Sequence, residues 1–134
     1  MQKNIIKNLD GLTPDESAKL LELERSVALD DARPNITNNF LSFVKYVWPE
    51  FIEGSHHKII NKKFNDLAEG KIKRLIVNMP PRHTKSEFAS YLLPAWMIGK
   101  NPKLKIIQAT HTADLAIDFG RKTKNLVDEP HYRE

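Results

Sequence analysis

Apolar residues at helical spacing mark the first third of the chain. Residues 13–16 (TPDE) form a capping box around a proline that suits the first turn of a helix. The helix that follows carries Leu20, Leu23 and Val27 on one face. Residues 30–35 (DDARPN) interrupt this pattern. We therefore predict one helix followed by a linker.

Two further periodic stretches predict two more helices. The first has apolar residues at i, i+3, i+4, i+7, i+8 and i+11, namely Phe40, Phe43, Val44, Val47, Trp48 and Phe51. Pro49 should end this helix near Val47. The second helix begins at Gly54 or Ser55 and ends at Gly70. Its apolar face consists of His57, Ile60, Phe64 and Leu67. We interpret the aromatic stripe as core rather than as a platform for stacking bases.

Two short apolar runs change the pattern in the second half of the chain. Residues 74–79 (RLIVNM) and 104–110 (LKIIQAT) predict buried parallel strands. A helix over residues 85–98, kinked by Pro94 and ended by Gly99, should connect them. Thr112 should cap a last helix running to about residue 127, and its inward side chains are Leu115, Phe119 and Leu126.

This order of elements predicts an α/β fold class. Residues 1–36 form an N-terminal helix and linker, and residues 37–134 form the start of a doubly wound parallel sheet with a βαβ unit. Two strands are too few for a sheet that stands alone, and its open apolar edge would be exposed. We therefore expect the chain to be the first part of a longer protein.

Composition narrows the chemistry without deciding it. The 134 residues are 40% hydrophobic and 28% charged, which suits one ordinary globular domain. The absence of Cys rules out disulfides and thiolate metal sites. A net charge of +4 is compatible with DNA or nucleotide as a partner, although solubility alone explains such an excess.

The candidate chemistry lies in residues 78–87 (NMPPRHTKSE). A phosphate-binding loop needs converging backbone N–H groups, a lysine that reaches the outer phosphates, and a hydroxyl directly after it for Mg²⁺. Lys85 and Ser86 supply the lysine and the hydroxyl. Met79 and Thr84 occupy the positions where such loops normally have glycine, so Thr84 has to adopt a positive φ or the loop differs locally. The alternative is an ordinary loop with a solvated lysine and serine.

Two further residues form the crown of this loop. The guanidinium of Arg82 is placed to neutralise charge developing on a γ-phosphate, or it is simply a surface arginine. His83 is interpreted as a structural or polar loop residue.

These residues carry a resemblance to a known family. The run 75–86 (LIVNMPPRHTKS) resembles the ATPase motif of the large terminase subunits of tailed bacteriophages, which are DNA-packaging motors. The continuation through 87–96 (EFASYLLPAW) and 106–121 (IIQATHTADLAIDFGR) is similar too, as is the pair His56-His57 upstream. The resemblance covers roughly residues 37–134, and the family often has glycine where this chain has Thr84.

The resemblance implies a set of site residues. Lys85 would bind ATP phosphates, Ser86 would bind phosphate and Mg²⁺, and Arg82 would act catalytically on the γ-phosphate. His57 would lie near the adenine, although its position on a helix face also suits a core residue. The residues implied in nucleotide binding are His57, Pro81, Arg82, His83, Thr84, Lys85 and Ser86.

The resemblance also implies partners and a reaction. The cofactors would be ATP and Mg²⁺, and the partners double-stranded viral DNA, the portal and the small terminase subunit. The parent would be a ring oligomer in the host bacterial cytoplasm. Family members add a strand ending in Asp-Glu and a nuclease domain, and Asp128-Glu129 does not match that strand, so we expect no turnover from this chain alone.

Two other functions stay open at this point. One is a different P-loop protein, such as a helicase-like ATPase or a sulfotransferase. The other is a non-enzymatic basic helical module that holds DNA or a partner through residues 58–73.

Overall fold

The computed structural model describes residues 13–133, and their secondary structure is helical. The helices are α1 (Pro14–Asn38), α2 (Phe40–Val47), α3 (Ser55–Ala68), α4 (Lys85–Glu87), α5 (Leu93–Lys100), α6 (Ala113–Asp128) and α7 (Pro130–Arg133). A π-helical segment, Phe88–Leu92, joins α4 to α5. The chain divides into two compact units, Met1–Pro34 and Asn35–Glu134.

The predicted α/β fold class is wrong. Helix makes up 68% of the molecule, and residues 13–133 contain no strand and no sheet. Residues 74–79 and 104–110 are not helical, but no backbone hydrogen bond within the described part of the chain joins them. A strand exists only through pairing, so the predicted βαβ unit does not form.

One-sided packing explains why the sequence suggested a strand. Leu75, Val77 and Met79 pack against the helical core, whereas Ile76 between them is 86% exposed. In the second run, Ile107 is 95% exposed. In residues 74–79 the alternation therefore reflects a segment that lies against helices, whereas Ile106 and Ile107 are both exposed and the second run does not alternate. A short apolar run alone does not distinguish such segments from a buried strand.

Helix α1 begins as predicted but ends later. The N–H of Thr13 donates to Glu16 Oε2 over 2.9 Å, and the N–H of Glu16 donates back to Thr13 Oγ1 over 3.4 Å. The linker predicted at residues 30–35 is wrong, because the helix continues through Pro34. A proline removes one intrahelical hydrogen bond but leaves the turns on either side able to form.

Helices α2 and α3 confirm the periodic prediction. Both begin and end within a residue or two of the predicted positions, and Gly70 adopts a positive φ of 74° just beyond α3. Phe40 lies at the centre of the core, with ring centroids 5.2 Å from Phe64, 5.3 Å from Phe88 and 5.6 Å from Trp96. The aromatic stripe is core, as interpreted from the sequence.

Three asparagines satisfy the first backbone N–H groups of α2. Asn39 accepts from the N–H of Ser42 over 3.1 Å. From α3, Asn61 accepts from the N–H of Leu41 over 2.9 Å and Asn65 from that of Phe40 over 3.2 Å. Helix starts normally leave these donors to water or caps, so α3 anchors α2 by polar as well as apolar contacts.

The helical run after the loop accommodates Pro94 through its π-helical segment. The N–H of Leu93 donates to the carbonyl of Phe88, five residues earlier, so the hydrogen-bond ladder has already shifted before the proline. The helix predicted to end at Ile98 runs two residues further, because Gly99 does not stop it and α5 continues to Lys100. Ala95 of α5 accepts a hydrogen bond of 2.6 Å from the hydroxyl of Tyr132, which holds α7 in place.

Helix α6 matches its prediction in bounds but not in every inward residue. Thr112 caps it by accepting from the N–H of Leu115 over 3.4 Å. Phe119 and Leu126 are buried, whereas Leu115 is 44% exposed, so that part of the predicted inner face is wrong. No helix within residues 13–133 is long and apolar enough to cross a membrane.

Candidate phosphate-binding loop

The loop before α4 has an unusual backbone. Arg82 and Thr84 have φ values of 62° and 58°, and they are the non-glycine residues with positive φ in the described chain. A left-handed conformation costs a non-glycine residue about 1–2 kcal/mol. Thr84 therefore adopts the geometry that the glycine at this position of a phosphate-binding loop would supply. At the other glycine position, Met79, the loop departs from the pattern, and Arg82 takes up the second positive φ.

The change from left-handed backbone at Thr84 to right-handed backbone at Lys85 sets the direction of the neighbouring N–H groups. Thr84 is left-handed and Lys85 is the first residue of α4. A left-handed residue next to a right-handed one turns successive N–H groups toward a common point, which makes an anion-binding nest. Within the described part of the chain, the N–H groups of residues 82 to 86 donate no hydrogen bond to another backbone or side chain. They are available to a ligand or to water.

The lysine of the motif folds back across the loop. Lys85 Nζ donates to the carbonyl oxygen of Met79 over 3.3 Å, and the side chain is half-buried. This contact closes residues 79–85 into a ring. An ammonium group has three donors, so two remain for a phosphate in front of the loop.

The remaining residues of the motif face solvent. Ser86 is exposed and follows the lysine directly, and Pro81, Arg82 and His83 are exposed at the crown. His83 Nδ1 lies 2.8 Å from the carbonyl oxygen of Pro81, which can only accept, so Nδ1 carries the proton. This bond fixes the crown of the loop from within.

Thr84 is held by a second histidine from another helix. His57 of α3 is only 5% exposed, and its Nε2 lies 2.8 Å from Thr84 Oγ1. Its Nδ1 accepts from the N–H of Gly54 over 2.8 Å. Thr84 Oγ1 in turn donates to the carbonyl of His83 over 2.6 Å. Both ring nitrogens of His57 therefore already have partners within the protein.

The surroundings of His57 favour its neutral form. Burial lowers its pKa, and the neighbouring His56 and His83 lower it further, whereas Glu53 opposes them. Its ring packs against Phe51 at 4.7 Å and Phe88 at 5.1 Å between centroids. The alternative reading of His57 as a core residue thus describes its environment well.

An ion pair joins the start of the helical run to α6. Lys122 Nζ lies 3.2 Å from Glu87 Oε1 and 3.7 Å from Asp118 Oδ2. The hydrogen bond that Lys122 donates to Glu87 raises the pKa of Lys122. Glu87 directly follows Ser86 in α4, so this contact stabilises the helical turn that follows the loop.

Other residues considered from the sequence do not join the loop through a sheet. Thr110 Oγ1 donates to the carbonyl of Thr112, and the described residues contain no sheet that would bring this segment beside the loop. Arg121 pairs with Asp118 over 2.8 Å on an exposed helix face. Within residues 13–133, no group of three or more His, Asp or Glu side chains could hold a metal ion.

The acidic pair near the end of the chain is engaged elsewhere. Asp128 pairs with Lys124 over 2.8 Å and with Arg133 over 2.7 Å. Glu129 lies 3.1 Å from His131 Nε2. Both carboxylates therefore have local partners at the end of α6.

The contact that sequence reasoning missed is the bond between His57 and Thr84. The signal was present in part, because a hydroxyl residue at a glycine position needs something to hold it. The two residues are 27 positions apart, and nothing in the sequence indicates that they meet.

No family model, curated protein or solved structure matches the chain.

Proposed function

We propose that residues 79–86 bind the phosphates of ATP, and that this chain is the nucleotide-gripping part of a phage large-terminase motor. One observation carries the proposal. Thr84 adopts φ 58° directly before Lys85, and the ammonium of Lys85 returns to the carbonyl of Met79. A left-handed residue at the start of a helix, with a lysine folded back over the loop, is a geometry that suits a phosphate chain better than any uncharged ligand.

Each residue has a distinct role in this proposal. Lys85 neutralises the outer phosphates, and Ser86 ligates Mg²⁺ beside them. Arg82, exposed at the crown, reaches the γ-phosphate and stabilises charge there. The bound Mg²⁺ would supply charge neutralisation between phosphate oxygens, and the protein contributes orientation and donors.

The parent function follows from the resemblance in residues 75–86. It is ATP-driven packaging of double-stranded viral DNA, with the portal and small terminase subunit as partners in the host cytoplasm. For the 134-residue chain we propose binding of Mg²⁺-ATP without turnover, because Asp128 pairs with Lys124 and Arg133, and Glu129 contacts His131, all at the end of α6. No other carboxylate pair in the described chain follows an apolar run in the required order.

The test is titration calorimetry of the full chain with Mg²⁺-ATP. We expect Lys85→Ala to weaken binding at least tenfold, because the outer phosphates lose their cation. The matched control is Lys105→Ala, which removes one lysine charge at an exposed position outside the loop and should leave binding unchanged. Equal affinities for the unaltered chain and Lys85→Ala would refute the phosphate-loop role.

A parallel measurement separates the remaining candidates. Lys62 and Lys63 lie exposed on α3, so a basic module would bind DNA through that face. The affinity of such binding should fall as the salt concentration rises and should be unchanged by Lys85→Ala. DNA binding of this kind without any Mg²⁺-ATP binding would favour the non-enzymatic module over the motor fragment.

A further inference from the structure

We propose that His57 is a positioning residue, which holds Thr84 in its left-handed conformation and so keeps the loop in the form that binds phosphate. This inference rests on the proposed function of the loop. It gives His57 a different role from the adenine contact that the family resemblance implies. The role follows from hydrogen-bond directions, packing and backbone conformation.

The hydrogen bonds around His57 have one consistent set of directions. The N–H of Gly54 can only donate, so His57 Nδ1 accepts and the ring proton sits on Nε2. Nε2–H therefore donates to Thr84 Oγ1, whose own proton goes to the carbonyl of His83. A chain of three hydrogen bonds runs from the start of α3 into the loop.

The histidine is the fixed end of this chain. His57 is buried against the rings of Phe51 and Phe88, which also contact each other, whereas Thr84 lies half-exposed in a loop. A Cβ added at Gly54 would come within 2.8 Å of the His56 ring, so α3 starts in a tightly packed turn. Thr84 therefore adjusts to His57 rather than the reverse.

Thr84 is the point at which the loop is sensitive to such a restraint. It is β-branched and left-handed, a combination that its own backbone preference opposes. Rotation of its φ to a negative value would turn the following N–H groups of Lys85 and Ser86 away from a shared point. The bond from His57 opposes that rotation, because it fixes the side chain relative to α3.

Protonation of His57 would loosen the anchor of the restraint, although Nε2–H would still donate to Thr84 Oγ1. A proton added to Nδ1 would face the N–H of Gly54, so the hydrogen bond at the fixed end would be lost. The charged or titratable groups around the ring are Glu53, which favours the added charge, and His56 and His83, which oppose it. The loop should therefore bind phosphate less well under acid conditions that protonate His57.

The test is a double-mutant cycle between His57 and Thr84, read as affinity for Mg²⁺-ATP. His57→Phe keeps a ring but removes the donor, and we expect a loss of roughly five- to tenfold. Thr84→Val keeps the β-branched shape, removes the hydroxyl and should lose as much. Thr84→Ser keeps the hydroxyl and His57→Gln keeps a donor near Nε2, so both should bind better than Thr84→Val.

The decisive arm uses glycine at the loop. Glycine adopts positive φ without help, so His57→Phe should have almost no effect on affinity once Thr84→Gly is present. Binding between about pH 5 and 7 should also depend less on pH in Thr84→Gly, because protonation of His57 no longer affects the conformation of the loop. A merely structural histidine would lower affinity equally in both backgrounds.

Circular dichroism should show each variant folded, and His111→Phe serves as the exposed control. Long-range ¹H–¹⁵N spectra should show His57 with its proton on Nε2. Full affinity in His57→Phe, or equal effects of His57→Phe with and without Thr84→Gly, would overturn the positioning role while leaving the phosphate loop intact. Failure of the unaltered chain to bind Mg²⁺-ATP would overturn both.

Discussion

The ammonium of Lys85 lies 3.3 Å from the carbonyl oxygen of Met79, six residues earlier in the chain. This contact holds the lysine over the loop before any ligand arrives. Much of the entropic cost of ordering a lysine side chain is therefore already met in the free protein.

The position of this lysine predicts selectivity along the phosphate chain. Affinity should rise from AMP to ADP to ATP, because the proposed role of Lys85 is to bind the outer phosphates. Lys85→Met, which keeps the apolar stem, should reduce ATP affinity at least tenfold and AMP affinity much less. Calorimetry with the three nucleotides checks this, and an equal loss for all three would place the lysine elsewhere.

Thr84→Gly should leave the stability of the chain almost unchanged. Glycine removes a left-handed strain of about 1–2 kcal/mol. The same change deletes the hydroxyl bonded to His57 and His83, and each such bond contributes about 1 kcal/mol. Urea unfolding should therefore show a change below about 1 kcal/mol. A loss well above that would show that the hydroxyl bonds outweigh the strain.

This position also shows what the sequence could and could not predict. The motif pointed to Lys85 and Ser86 and set the condition of a positive φ at Thr84. Local spacing contains this information because the loop and its helix are contiguous. The partner of Thr84 lies in α3, and contacts between distant segments leave no periodic trace in one sequence.

The prediction of an α/β fold class was wrong for a related physical reason. The apolar run at residues 74–79 predicts a strand that is buried throughout, but its side chains alternate between core-packed and exposed. Alternation reports how one segment packs, whereas a sheet also requires a partner with free N–H and C=O groups alongside. Helix α2 was predicted correctly because a helix completes its hydrogen bonds within its own segment.

Asn61→Ala should destabilise the chain by about 1–2 kcal/mol. Its side chain accepts from the N–H of Leu41 at the start of α2, and alanine removes this acceptor. Asn125→Ala, at an exposed position of α6, is the matched control and should change stability by less than about 0.5 kcal/mol. Urea unfolding followed by circular dichroism measures both, and equal effects would contradict the capping role.

Gly99 and Tyr132 should be energetically coupled. A Cβ at Gly99 would approach the Tyr132 hydroxyl to 3.0 Å, and that hydroxyl donates to Ala95. Tyr132→Phe alone should cost about 1 kcal/mol for the lost bond. Gly99→Ala should destabilise the unaltered chain, yet stabilise it when Tyr132→Phe is present, because alanine suits a helix better by up to about 1 kcal/mol. Thermal unfolding of the four proteins tests the coupling, and additive effects would refute it.

The stability of the chain should depend on pH through His57. Burial and the adjacent His56 lower the pKa of His57 in the folded state, so the unfolded chain binds that proton more readily. Stability should therefore be highest above the ordinary histidine pKa of 6.5 and fall as the pH drops from there toward the lowered folded value. The carboxylates with lowered pKa, such as Asp118, lose their contribution only at lower pH. Unfolding free energies measured from about pH 7 to pH 5 should decline in the unaltered chain and change less in His57→Phe. A decline of the same size in both proteins would assign the pH dependence to other groups.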